Sequence, residues 1–122
     1  MKFQIEGNYI HSKMLVNSLR VFGKEVESSH RMYGKEKLNL TDEKIFYIIL
    51  DTPADVFRKQ LDDVGFEGVR KYSKKNLNIA RENLLSFAKQ NKQSALVETT
   101  NSSFGKVFQD VVDIINQQES KT

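Results

Sequence analysis

Arg70, Lys71, Lys74, Lys75, Arg81, Lys89 and Lys92 crowd into "VRKYSKKNLNIARENLLSFAKQNK", residues 69 to 92, with Glu82 as the one acid among them. The stretch carries +6, whereas the rest of the chain sums to −3. If it is helical from residue 70 onward, a step of about 100° per residue gathers these cations into an arc of roughly 140°. Asn78 lies in the same arc, able to donate to or accept from a sugar or base edge. Leu77, Ala80, Leu84 and Phe87 occupy a separate arc centred roughly 130° away, suited to packing on a core. Lysines spaced along one helix face suit phosphates, where each ammonium acts as a point charge and released counterions supply affinity. An amphipathic helix also exposes charge simply to stay solvated, but such a face usually alternates sign to gain i,i+4 pairs, and this one hardly does. Arg31, Lys35 and Lys37 around Tyr33 form a second cluster that extends the patch, with an aromatic able to stack on a base. Without a base-reading constellation, contact through the backbone of DNA or RNA is the expectation.

Other chemistry is sparse. His11 and His30 are the two histidines, and neither has a second histidine or a carboxylate at ligand spacing. Walker A, GxGxxG, GxSxG, HExxH and EF-hand patterns are absent from the sequence. Asp51 and Asp55 form a carboxylate pair of the kind that holds Mg²⁺ in phosphoryl-transfer enzymes, although acids at a helix start also serve free N–H groups. There is no cysteine, so disulfides, thiolate metal sites and thiol catalysis are excluded. No catalytic residue, metal ligand or cofactor site is therefore assigned.

The elements that must position the cations follow from periodicity. In "DTPADVFRKQLDDVG", Thr52 is placed to cap a helix, Pro53 to open it, Asp55 to meet its free N–H groups and Gly65 to close it. Val56, Phe57, Leu61 and Val64 share its apolar face. "KIFYIIL", residues 44 to 50, is apolar on both alternating faces and reads as a strand buried on both sides; the competing reading is a helix capped by Thr41, with Ile45, Ile48 and Ile49 at helical spacing. Ser73 caps the basic helix, "SALVETT" reads as a strand, and the last element buries Phe104, Val107, Phe108, Val111, Ile114 and Ile115 opposite Lys106, Asp110, Asp113 and Gln117. Near the start, Phe3 and Ile5 alternate like a strand, while Leu15, Leu19, Phe22 and Val26 step like a helix. "RMYGKEK" reads as a turn, and "LNLT" as a strand pairing with residues 44 to 50 through a tight turn.

The expected fold is a small α+β domain spanning 1–122, with a three- or four-stranded sheet that includes residues 44–50, helices near 53–64, 73–91 and 103–118, and a flexible tail from about 118. An all-α domain is the alternative if residues 41–51 are helical. "GFEG", residues 65 to 68, resembles the backbone clamp of KH domains, but Glu67 stands where those domains tend to carry a cation. "LDDVGFEGVRKY" resembles the second half of a helix-turn-helix with a turn about two residues too short. With no apolar run of about 20 residues and no apolar segment after Lys2, the expectation is a cytoplasmic protein without membrane partners. The leading function is a non-enzymatic regulatory protein that engages nucleic acid through the basic helix. The alternative is a protein-interaction module, its basic face meeting an acidic partner or an apolar face pairing two copies as a homodimer.

Overall fold

The computed structural model describes residues 2–28, 44–65, 73–100 and 103–121. In chain order these form β1 (Lys2–Gly7), α1 (Tyr9–Val21), β2 (Val26–Glu27), β3 (Ile45–Asp51), α2 (Ala54–Asp63), α3 (Lys74–Gln90), β4 (Ser94–Glu98) and α4 (Phe104–Glu119). The α+β expectation holds, and residues 45–51 are strand, which removes the all-α alternative.

The four strands pair in the order β2-β1-β3-β4, and every pairing is parallel. Parallel sheets carry helices on both faces, so their strands are apolar on both sides. β3 shows this directly: Phe46, Ile48 and Leu50 join Phe3 and Ile5 of β1 beneath α1 and α4, while Tyr47 and Ile49 meet Phe87 of α3 on the opposite face. Tyr47 and Phe87 stand edge to face with ring centroids 5.1 Å apart. α2 packs on α3 through Phe57 and Leu61 against Leu77 and Ala80. The predicted strand at residues 38–41 lies outside the described residues, and the strands that flank β3 are β1 and β4.

Local chemistry sets the element ends. α1 stops at Phe22 because Gly23 adopts φ 77°, Gly23 N–H donates to the Arg20 carbonyl and Lys24 N–H to that of Leu19, the paired bonds of a Schellman end. The helical step therefore holds for buried Leu15 and Leu19 and fails beyond them: Phe22 is 72% exposed, and Val26 is a buried residue of β2 opposite Phe3. Gly65 closes α2 as expected, at φ 65° with its N–H on the Asp62 carbonyl, and leaves Val64 exposed. Ser73 caps α3 by accepting from Asn76 N–H. α4 buries Val107, Val111 and Ile115 and stays helical through Glu119, past the expected start of the tail, where Lys24 Nζ reaches the Glu119 carboxylate at 3.0 Å.

Candidate functional site

α3 presents the cationic face foreseen for it, over a shorter span. Leu77, Ala80 and Phe87 are buried, and Lys74, Lys75, Asn78 and Lys89 are exposed. Lys92 is exposed in the bend that leads from α3 into β4. Arg70, Lys71, Arg31, Tyr33, Lys35 and Lys37 lie outside the described residues. Lys75 and Lys89 are separated by about 21 Å of rise and only about 40° of rotation, so they stand nearly in line along the helix.

Arg81 behaves differently from the lysines. Its Nε donates to Asp51 Oδ1 at 2.7 Å and its Nη2 to Oδ2 at 3.3 Å, a two-pronged pair between the middle of α3 and the carboxyl end of β3. The Asp51 side chain is 18% exposed. Asp51 is thus matched to a guanidinium, while Asp55 sits exposed in the first turn of α2. Among the described residues, no group of three His, Asp or Glu side chains is placed to hold a metal ion.

The Asp51–Arg81 pair fixes where the lysines stand. Because α3 leads directly into the start of β4, its own start points toward the carboxyl end of the sheet. Lys75 precedes Arg81 by about 9 Å of helix rise, so the first turn of α3 stands beyond the tip of β3. There Lys74 and Lys75 occupy the first helical positions, with no acid in that turn. Among the described residues neither lysine forms an ion pair. A helix start carries partial positive charge and free N–H groups, so stability alone would favour Asp or Glu there.

Beneath this rim lies a polar cluster that the sequence reading missed. The chain leaves β1 toward β2 by α1 on one face and leaves β3 toward β4 by α2 and α3 on the other. The carboxyl ends of β1 and β3 therefore form a topological switch point, where open parallel sheets offer a crevice. Here side chains bridge it. Asn8, fully buried just after β1, donates from Nδ2 to Thr52 Oγ1 at 3.0 Å and to Gln60 Oε1 at 2.8 Å, while its Oδ1 accepts from His11 N–H and caps α1. Thr52 and Thr99 share a hydrogen bond between their hydroxyls, and Thr99 N–H donates to the Asp51 carbonyl at 3.0 Å. Thr52 consequently does not cap α2 as predicted: Pro53 takes the cap position, with no side-chain cap bond. The threonine hydroxyl is drawn inward because a buried hydroxyl needs a partner more than an exposed helix start does.

Gly7 makes this closure possible. It pairs with Leu50 at φ 107°, and a Cβ on it would run into the Leu50 backbone carbonyl. Nearby, His11 is half-buried edge to face with Phe104, centroids 5.9 Å apart, and burial lowers its pKa from the ordinary 6.5. At the opposite end of the sheet, a groove of about 360 Å³ is lined by Lys2, Arg20, Lys24, Glu25, Val26 and Glu27. Its charges largely answer one another, with Lys2 on Glu27 at 2.9 Å and Arg20 Nε donating to the Val26 carbonyl.

The fold and site together define a small parallel-sheet domain, helices on both faces, whose carboxyl-end crevice is bridged by its own side chains and overlooked by a cationic helix start. No protein-family model matches the chain, and a search of curated proteins finds no relative. Among the described residues, no helix is long and apolar enough to cross a membrane.

Proposed function

We propose that this chain is a small non-enzymatic binding protein of the cytoplasm that engages DNA or RNA through phosphate contacts of α3. One observation carries the reading: Lys74 and Lys75 sit exposed at a helix start, without an ion pair among the described residues, where folding stability alone would select acids. A phosphate docked there meets two ammonium groups, free helix N–H groups and the positive end of the macrodipole together. Lys89 extends the line along the same face, and Asn78 supplies a neutral hydrogen-bonding group beside it. Arg81 contributes by anchoring α3 to β3 rather than by reaching outward. Arg70, Lys71, Arg31, Tyr33, Lys35 and Lys37 belong to the same proposed surface on sequence grounds. Since lysines dominate, affinity should depend steeply on salt and weakly on base sequence, in the roughly 10⁻⁴–10⁻⁶ M range of non-specific binding at physiological salt.

The test is fluorescence anisotropy with labelled duplex DNA and single-stranded RNA across a salt series. Wild-type protein should bind at low salt and release as salt rises, with the slope reduced when Lys74 and Lys75 are changed to Gln. Absence of binding to both probes at low salt would overturn the proposal.

A further inference from the structure

We propose that β4 pairs with β4 of a second copy of this chain, antiparallel about Leu96, to make a homodimer with one continuous eight-stranded sheet. β4 is an edge strand: β3 lies on one side, and among the described residues nothing pairs with the other. Natural edge strands are usually guarded by proline, a bulge or charge at mid-strand. β4 has none of these, running in unbroken register with β3 from Ser94 to Glu98 with Leu96, 50% exposed, at its centre.

The backbone of β4 is self-complementary. The Gln93 carbonyl accepts from Tyr47 N–H and Thr99 N–H donates to the Asp51 carbonyl, so the odd-numbered residues direct their peptide groups into the sheet. Alternation then turns the N–H and C=O of Ser94, Leu96 and Glu98 outward. These three are symmetric about Leu96. In an antiparallel pair with its dyad at that residue, Leu96 exchanges both bonds with its own copy, and Ser94 exchanges both with Glu98 of the other chain, twice over. All six outward groups of each strand find partners.

The side chains agree with that register. The two Leu96 side chains meet at the dyad on the α3 face of the sheet. Glu98 of each copy lies opposite Ser94 of the other, and the bend just before that Ser94 carries Lys92, whose long side chain can reach toward Glu98, so opposite charges face each other at both ends of the pairing. A register shifted by one residue would oppose outward peptide groups to inward ones and lose the bonds.

Sedimentation equilibrium and light scattering on the full chain test this. The expected particle has twice the mass of the 14.1 kDa chain. Leu96→Lys, which sets two ammonium groups against each other at the dyad, should return it to a single chain with unchanged circular dichroism. Independently of whether that variant folds, Lys92→Glu and Glu98→Lys should each weaken the dimer several-fold, and the two together should restore it. A wild type that stays monomeric at the highest soluble concentration would overturn the proposal, as would a dimer indifferent to all of these changes.

Discussion

Lys74→Glu combined with Lys75→Glu should make the protein more stable while removing its affinity for nucleic acid. At the first positions of α3, each lysine opposes the helix dipole and each glutamate would favour it, an effect of about 0.3–1 kcal/mol per exposed charge at low salt. Reversing two charges therefore stabilises by about 1–2 kcal/mol after allowance for solvent screening. Lys and Glu have nearly equal helix propensities, so that contribution does not confound the comparison. An unfolding entropy of about 2.1 cal/mol/K per residue over 122 residues makes 1 kcal/mol worth about 4 °C, so Tm should rise by about 4–8 °C at low salt. Calorimetry and anisotropy on the same samples provide both readouts. A control with Lys13→Glu and Lys121→Glu changes net charge equally, away from α3, and should leave binding largely intact. If the α3 variant melted lower, the lysines would be making a stabilising contact and the reasoning about their placement would be wrong. If it melted higher yet bound nucleic acid as before, the phosphate site would lie elsewhere.

Three further outcomes follow from the carboxyl-end cluster. Gly7→Ala should cost about 2–5 kcal/mol in urea denaturation, from left-handed backbone strain plus the clash with the Leu50 carbonyl, and a near-neutral result would contradict the β1–β3 register there. Asn8→Ala should cost about 2–4 kcal/mol, whereas Asn8→Ser should recover the cap share of about 1 kcal/mol; equal losses would mean that the Oδ1 cap contributes nothing. His11 titrates below 6.5 in the folded protein, so folding disfavours its proton: its contribution is complete above 6.5 and is lost as pH falls through that value toward the lowered pKa. The urea midpoint should consequently drop more for wild type than for His11→Gln between about pH 7.5 and about pH 5.5, and parallel pH profiles would remove His11 as the cause.

How much of this was legible in the sequence depends on the range over which each feature is decided. Ser73, Gly65 and the apolar spacing of α3 and α4 act within one or two turns, and their helices fall within a residue of the expected bounds. "KIFYIIL" announced burial on both faces, which is what a parallel sheet imposes, yet its partners β1 and β4 lie far away in sequence and no local pattern names them. Phe22 and Val26 depart from the helical expectation for the opposite reason: their spacing continues the helix, but Gly23 takes φ 77° and ends it.

The polar cluster was hidden more deeply, although its pieces were in plain view. The first long strand runs into "GN", the next into "DT" and the last into "TT", each a turn-like pair when read alone. They become one network only when the strands are parallel and adjacent, which brings Asn8, Thr52 and Thr99 to a common end. The same topology changes what the cations mean. In the sequence Arg81 was one more positive charge among seven; in the fold it spends its guanidinium on Asp51, and by doing so holds Lys74 and Lys75 beyond the strand tips. Composition could count those charges. Only the register of β3 against α3 separates the arginine that fastens the helix from the lysines left facing outward.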